Sequence, residues 1–482
     1  MFKRSTVLLV LVAFALIAGV WALDLLQTQQ KQQASEESRL LSVEPSIVQE
    51  ITILRSSSPS EAAAPEPQTI EVRRLTEADS ETWQITKPVT TEADDFAISN
   101  LLSKVTTLEP QTEISASADL SQYGLDPAQS TLTLTLENGE QQSLKLGAED
   151  FDKTGIYLQV GDRVVTVPRS DQQVLTPDLL SLRSKSLTQV QRSAIADVVI
   201  QQSDTTIKLV QAADGWQIQE PRQLPVDETR LDRLINPLLS LQASGFVTEA
   251  KAEADLEEFG LAQPTSVITV TLQPDAATGL ENVVVNLGAQ TQTDPPQVYI
   301  TSSQSPTIAT LALSTAEALQ PTLLDLRDKS LGRIEPEALA EVTVNAEDQD
   351  LERTFLPSAV AAGSSPNPMG NRWEVSDQPG RMVSLEGLFT TLREIRATDF
   401  LSSEDVDAVA ALESPILSMT LVPAAETEDP VVIELGEDAG RAYARSSRQT
   451  ESLVIEPSAI EELISILGTF KPLPEPETSP SP

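Results

Sequence analysis

The chain has 482 residues, which at roughly 150 residues per domain predicts about three domains. Its 33 basic and 72 acidic residues give a formal net charge of -39. A chain this acidic is repelled by phosphate backbones, so nucleic acid is not expected as a partner. The absence of cysteine and histidine removes thiolate nucleophiles, imidazole bases and the common zinc ligands together.

An apolar segment near the start predicts a membrane anchor. Lys3 and Arg4 precede a nearly unbroken apolar run, and Trp21 stands near its far end, where aromatic residues meet a membrane interface. We predict one transmembrane signal anchor over residues 1–25, which contacts the membrane through residues 5–23. The positive-inside rule then puts the bulk of the chain on the extracytoplasmic side.

A cleaved signal peptide is the alternative for this segment, because residues 20–22 loosely resemble a cleavage site. Residues 26–46 are mostly polar and predict a solvated stalk. At the other end, residues 471–482 are rich in proline with acidic spacers, which predicts an extended, disordered tail. Two low-complexity stretches, 56–68 and 357–371, are interpreted as surface loops.

The same layout of landmarks occurs three times between the stalk and the tail. Each copy opens with a tryptophan that is followed shortly by a proline: Trp83 and Pro88, Trp216 and Pro221, Trp373 and Pro379. A Leu-Gly pair follows later in each copy, at 146–147, 287–288 and 435–436. We therefore predict three tandem modules: module 1 over residues 47–187, module 2 over 188–331 and a divergent module 3 over 332–470.

Each module combines alternating apolar runs with one stretch of helical spacing. The helix of module 1 is predicted from Phe96, Leu101, Leu102, Val105 and Leu108, whose spacing of mostly three and four puts them on one face. Strand patterns precede and follow this helix without regular strand-helix alternation. The predicted fold class is α+β, with mainly antiparallel sheets and covering helices.

A basic motif ends the first two modules. Arg183 and Lys185 align with Arg327 and Lys329 inside matching Leu-Arg-x-Lys-Ser-Leu segments, and module 3 lacks them. A feature found only where another module follows is interpreted as an interdomain joint, in which Arg and Lys pair with acidic groups across the boundary. A Ser-Lys catalytic dyad is the alternative, but adjacent residues rarely face each other.

Glycines mark two further elements. Gly124 and Gly260 each lie in an aromatic-Gly-Leu element just before a strand and are expected to supply backbone turns. The three Leu-Gly pairs are expected to be hairpin turns as well. Residues 150–155 imitate the start of a calcium-binding loop, but its twelfth position is Gly161 where glutamate is needed, so a plain turn is predicted.

Two acidic clusters are the basis of an alternative hypothesis, that the protein is an enzyme. Residues 92–95 and 404–407 hold neighbouring carboxylates, which are the groups that an extracytoplasmic glycan hydrolase would use. Solvated helix termini explain the same clusters. Neither these clusters nor any other motif indicates a catalytic residue, a cofactor or a metal ligand.

Together, the Trp-to-Pro opening, the aromatic-Gly-Leu element, the Leu-Gly pair, the following tyrosine strand and the basic motif resemble the bacterial domain of unknown function 4340 family. The resemblance covers nearly all of residues 45–470. It implies a membrane-anchored extracytoplasmic protein of the bacterial cell membrane, of a family often encoded beside gliding-type ABC transport components. The function expected is therefore a non-enzymatic binding or scaffold protein with a protein partner in the envelope.

Overall fold

The computed structural model describes residues 39–56, 68–77, 80–114, 119–213, 215–252, 254–274, 281–331, 335–346, 351–357, 372–425 and 427–468. The predicted anchor, most of the stalk, nearly all of both low-complexity loops and the proline-rich tail lie outside these ranges. Within them, no helix combines the length and the apolar character that crossing a bilayer requires.

Three nine-stranded antiparallel sheets form the chain, and all three have the same strand order. The first runs β4-β3-β2-β1-β6-β7-β8-β9-β5. Its strands are β1 (Val48–Arg55), β2 (Gln68–Glu77), β3 (Ser80–Lys87), β4 (Thr91–Glu92), β5 (Thr112–Ile114), β6 (Ser130–Leu136), β7 (Gln141–Glu149), β8 (Gly155–Val160) and β9 (Arg163–Pro168).

The second sheet lies in module 2 and the third in module 3. The second contains β10 (Ile195–Gln202), β11 (Thr205–Ala212), β12 (Gly215–Glu220), β13 (Leu224–Pro225), β14 (Gly245–Thr248), β15 (Ser266–Leu272), β16 (Asn282–Gln290), β17 (Gln297–Ser302) and β18 (Ile308–Ala312). The third contains β19 (Leu339–Ala346), β20 (Leu351–Pro357), β21 (Trp373–Val375), β22 (Met382–Val383), β23 (Asp399–Leu401), β24 (Leu417–Pro423), β25 (Val431–Asp438), β26 (Arg441–Ser446) and β27 (Ser452–Ile455).

One helix follows the first four strands of each sheet, and shorter helices end modules 1 and 2. The helices are α1 (Asp95–Thr106), α2 (Gln172–Leu175), α3 (Leu179–Leu182), α4 (Glu228–Leu239), α5 (Leu313–Ala318), α6 (Leu323–Leu326), α7 (Glu386–Glu394), α8 (Val406–Glu413) and α9 (Pro457–Gly468). Single 3₁₀ turns lie at Pro45–Ile47, Leu120–Tyr123, Arg169–Asp171, Arg192–Ala194 and Pro336–Ala338. The predicted α+β class is confirmed in this form, as mostly sheet with few helices.

Alternating side chains explain the sheets. In β6 every second residue is buried from Ser130 to Leu136, so one face of the strand meets the core. The side chains of α1 that meet this core are Ile98, Leu101, Leu102 and Val105. Phe96 is 82% exposed, so its assignment to the buried face of the helix is wrong. It precedes Leu101 by five positions, a spacing that turns it away from the sheet.

The described chain groups into two compact units, and the division passes through module 2. The first unit contains the whole first sheet together with β14, β16, β17 and β18. The second contains β10 to β13, most of β15 and the whole third sheet.

The expectation that the Leu-Gly pairs form hairpin turns is wrong. Gly147 lies inside β7, at a register shift between Leu146 and Glu149. A Cβ atom at Gly147 would overlap the carbonyl oxygen of Tyr123, and one at Gly288 would overlap that of Phe259. Glycine is therefore required because another backbone crosses the strand at this point.

Module 3 reaches the same arrangement with a different element. Helix α8 stands where modules 1 and 2 have the aromatic-Gly-Leu element, and a Cβ atom at Gly436 would overlap the carbonyl oxygen of Ala411 in that helix. In module 1 the crossing turn also packs Tyr123 edge-to-face against Tyr157, with ring centroids 4.7 Å apart and an interplanar angle of 64°. Module 3 buries Tyr443 beneath α8 instead.

Candidate functional site

The segment that carries Arg183 is hydrogen-bonded first to module 1 and then to module 2. The amide of Ser184 donates to Glu92 O at 2.9 Å, and the amide of Asp94 donates to Leu182 O at 2.8 Å. Lys185 O then accepts from the amide of Ala243 at 2.7 Å. One extended stretch therefore pairs with the edge of the first sheet and continues onto module 2.

The Arg183 side chain crosses to module 2, where Glu249 and Phe246 receive it. Its Nη1 and Nη2 atoms donate to the two carboxylate oxygens of Glu249 at 2.7 and 2.9 Å. The guanidinium carbon lies 3.4 Å from the centroid of the Phe246 ring. Only 3% of Arg183 is exposed. The forked ion pair replaces water at the Nη atoms and the aromatic ring covers one face of the guanidinium, while the buried Nε has no hydrogen-bond partner in the described part of the chain.

The second joint repeats the backbone pattern. The amide of Asp328 donates to Pro225 O at 3.0 Å, and the amide of Asp227 donates to Leu326 O at 2.8 Å. Lys329 O accepts from the amide of Ala397 at 2.8 Å. The chain that leaves module 2 is thus fixed at the edge strand β13 before it meets module 3, where the side chain of Leu331 joins the hydrophobic core.

Arg327 occupies the position of Arg183 in this second joint. Its guanidinium carbon lies 3.2 Å from the centroid of the Phe400 ring, and its Nη2 atom pairs with Glu451. Arg222 pairs with the other carboxylate oxygen of Glu451. Burial opposes ionisation of this carboxyl, but the hydrogen bonds and charges of the two arginines outweigh it and lower the pKa of Glu451.

The two aromatic rings stand at the same place in their sheets. Phe246 pairs with Ala309 at the edge strand β14, and Phe400 pairs with Leu453 at the edge strand β23. Module 1, which has no preceding module among the three, carries Glu113 in the corresponding edge strand β5. The phenylalanine occurs where a module precedes, and the arginine occurs where a module follows.

The charges of the two lysines act on carboxyl groups of their own modules. A hydrogen bond from Ser181 is the main cause that lowers the pKa of Asp178, and the charge of Lys185 adds to it. Likewise, a hydrogen bond from Thr322 lowers the pKa of Asp325, with a smaller contribution from Lys329. The hydroxyl of Ser186 donates to Thr188 O at 3.2 Å.

The tryptophans and the two turn glycines belong to the modules and not to the joints. Trp83 is 7% exposed beneath Arg74, Trp216 is half-buried in β12, and Trp373 is fully buried. Gly124 and Gly260 have φ angles of 65° and 66°, in the left-handed region that glycine adopts without strain. These five residues shape the core and the crossing turn.

In each acidic cluster of the enzymatic alternative, one aspartate caps the helix that follows. Asp94 accepts from Phe96 N and Ala97 N at the start of α1, and Asp405 accepts from Ala408 N at the start of α8. In the turn that resembles a calcium loop, Asp150 accepts from Thr154 N. The described ranges contain no group of carboxylates placed to hold a metal ion.

Sequence reasoning missed Phe246, Glu249, Phe400 and Glu451. The aromatic residues lie in strands of three or four residues, too short for a periodic pattern, and the two glutamates stand at different points of their modules. In the sequence, only the alignment of Phe246 with Phe400 and Glu113 could have pointed to the aromatic residues of the joints. Pairing acidic partners with the arginines requires the fold itself.

No curated protein and no solved structure matches the chain. A family model described as domain of unknown function (DUF4340) matches residues 83–254 and again residues 216–415. The matches begin at the equivalent residues Trp83 and Trp216, and each contains one arginine of a joint with the phenylalanine that receives it. Because the two matches together cover more than half of the 482 residues, the chain belongs to the DUF4340 family.

Proposed function

We propose that the protein is a non-enzymatic binding or scaffold protein, anchored in the bacterial cell membrane with its modules on the extracytoplasmic side. The observation that carries the proposal is the pair of equivalent joints, each made of a buried arginine, an aromatic ring and a carboxylate. The partner is an envelope protein, and the family resemblance points to a gliding-type ABC transport complex.

The chemistry of the joints suits a scaffold. A buried arginine that is both paired and stacked holds one orientation, because a rotation would leave its buried charge without a partner. Each joint in this way sets the spacing of the two modules that it connects. A partner that contacts more than one module gains affinity from that spacing, since the second contact is made at high effective concentration.

The surface chemistry fits a protein partner and not a polyanion. The net charge of -39 repels anionic polymers, and exposed edge strands offer backbone groups to an added strand. On the first sheet, the edge strand β5 carries an exposed ion pair between Glu113 and Arg163 at 3.0 Å. Charges of this kind keep an edge from pairing indiscriminately.

Crosslinking in the native membrane tests the proposal. Because the natural chain contains no cysteine, single cysteines on each module direct a bifunctional reagent to known positions. We expect one envelope protein to copurify with the wild-type chain. An R183A/R327A double variant should recover clearly less of it, and R163A, which removes an exposed arginine, should recover the wild-type amount. Recovery of no envelope protein would overturn the binding role, and equal recovery by all three chains would overturn the scaffold role.

A further inference from the structure

The edge strand β22 of module 3 lacks the strand partner that its equivalents have in modules 1 and 2. Val383 of β22 corresponds to Ala93 of module 1, because each pairs with the tryptophan of its own module. Ala93 forms an antiparallel bridge with Arg183, and the equivalent residue of module 2 forms one with Arg327. Among the described residues, Val383 has no such bridge on its outer side.

One backbone acceptor and one backbone donor are open at this edge. In module 1 the two equivalent groups are bound by residues 182 and 184. The corresponding Met382 O and Ser384 amide pair with no residue of the part of the chain that the structure describes. An added antiparallel strand would satisfy both groups, as the covering segment of module 1 does.

A pocket of about 240 Å³ lies on the inner side of the same edge. Val375, Val383 and Leu467 line its apolar side, and Arg353 and Arg381 supply two cations. The pocket therefore combines an aliphatic wall with positive charge.

Arg353 stands at a position that belongs to the core in the other modules. It pairs with the residue of β19 that corresponds to the β1 and β10 partners of Ile70 and Ile207. Those isoleucines are 0 and 1% exposed, whereas the Arg353 side chain is 30% exposed and lies 4.0 Å from the exposed carboxylate of Asp377. A cation in place of a core isoleucine needs an anion beside it, and this long ion pair supplies little.

Arg381 changes the charge that the edge accepts. Its pairing with the tryptophan strand puts it at the position of Thr91 in module 1. There, Nη2 of Arg183 in the covering segment lies 3.5 Å from the Thr91 hydroxyl. A covering arginine in module 3 would therefore meet Arg381, whose printed side-chain partner is the neutral Gln378. A carboxylate at the same place would be attracted instead.

We infer that the β22 edge binds an extended acidic segment of a partner protein as an added antiparallel strand. Directly paired residues of such a ladder lie on one face, so the partner residue opposite Val383 faces the pocket. Acidic residues opposite Val383 and opposite Arg381 bring their carboxylates to the two arginines. Residues two apart in a strand share a face, so an aliphatic residue two positions before the first acid meets the apolar wall.

The charges favour such a partner over a second copy of this chain. Two copies joined at β22 would bring Arg353 and Arg381 of one against the same arginines of the other, and like charges opposed in this way cost affinity. The Leu-Arg-x-Lys-Ser-Leu segment of another copy would likewise bring cations to Arg381. The inference rests on the proposed binding function for the existence of a partner and adds the chemistry by which it is recognised.

A synthetic peptide tests the inference on the full chain. The probe is the blocked peptide Ser-Thr-Val-Thr-Glu-Thr-Glu-Thr-Ser, which has the alternation that the edge requires. We expect saturating peptide to slow hydrogen exchange at the Ser384 amide at least about tenfold, because a strand hydrogen bond protects an amide. The amides of Asp94 and Asp227 are already paired and should exchange at the same rate with and without peptide.

Variants of the two arginines test the charge. R353I/R381T gives module 3 the residues that module 1 has at the same positions, so the fold is retained, and it should bind the labelled peptide at least about tenfold more weakly. R163A removes an exposed arginine of module 1 and should bind as the wild type does. A peptide with lysine in place of both glutamates should not bind the wild type.

Four results would overturn the inference. They are no peptide protection at Ser384, equal binding by R353I/R381T and the wild type, protection at Ser384 that exists before peptide is added, and protection that rises with protein concentration. The third would show that the chain covers its own edge, and the fourth that a second copy does. Copurification of an envelope protein does not depend on this peptide, so a partner found by crosslinking together with a failed peptide would reject this inference alone.

Discussion

Replacing Arg183 by alanine perturbs one joint while leaving the cores of both neighbouring modules intact. The change leaves the carboxylate of Glu249 without its two charged hydrogen bonds and uncovers the Phe246 ring. Removing one partner of a buried ion pair costs about 3 to 5 kcal/mol. The Glu249 side chain is 39% exposed, so water recovers part of this, and we expect a loss of about 2 to 3 kcal/mol.

Amide exchange in β14 measures this loss locally, which matters because a chain of three modules need not unfold in one step. A loss of about 2 to 3 kcal/mol corresponds to exchange that is about 30- to 160-fold faster. The control is Arg163→Ala, whose ion pair with Glu113 is exposed by 43% and 57% and is expected to contribute less than about 1 kcal/mol.

Arg183→Lys separates charge from geometry. Lysine keeps the positive charge but loses the forked pair of hydrogen bonds and the flat stacking surface, so we expect a loss between those of wild type and alanine. If lysine restored full protection, the planar geometry of the joint would be irrelevant. If Arg183→Ala perturbed β14 no more than Arg163→Ala perturbs β5, burial of the guanidinium would carry no stabilisation and the reasoning would fail.

Three further predictions concern the strand glycines, the second joint and the location of the chain. Gly147→Ala should lower the midpoint of thermal unfolding by several degrees, because the added Cβ meets a backbone carbonyl. The control is Gly387→Ala in α7, whose added Cβ makes only an ordinary contact and should leave the midpoint unchanged. Equal midpoints for the two variants would contradict the steric reason. The folded pKa of Glu451 lies below its ordinary value of 4.5, so its stabilisation is present above that pH and is lost as pH falls through the folded pKa. Urea unfolding of Glu451→Gln should therefore depend less steeply on pH in this acidic range, and an unchanged slope would argue against it. Phe151→Cys, at a residue that is 98% exposed, should react with a membrane-impermeant maleimide in intact cells, and reaction only after lysis would contradict the extracytoplasmic placement.

The repeated landmarks predicted the general fold well because long alternating strands carry a clear signal. Strands such as β6 and β15 alternate strictly, and their pattern identifies them without any tertiary information. The position of β5 at the far edge of its sheet has no such signal. A strand of three residues is too short to show a period, and its pairing with β9 depends on where α1 returns the chain.

The strand glycines show how a correct landmark can receive the wrong interpretation. A Leu-Gly pair between two strand patterns suggests a turn, because glycine is common there. Gly147 is instead required by a backbone that is distant in sequence and crosses β7 at this residue. Local pattern identifies the residue as special, and only the packing of Tyr123 explains why.

The departures of module 3 follow from having no successor among the three modules. Modules 1 and 2 each end in two short helices, and the arginine that follows packs against the phenylalanine of an edge strand in the next module. Module 3 ends in the single helix α9. A buried guanidinium without its aromatic ring and carboxylate would be destabilising, so a last module is better without it. Without the arginine-bearing segment, no residue of the described ranges pairs with Met382 O or with the Ser384 amide at β22. Module 3 lacks the arginine of a joint, and module 1 has Glu113 where modules 2 and 3 have the phenylalanine. Among the three modules, each of these residues therefore occurs only where the joint that uses it is present.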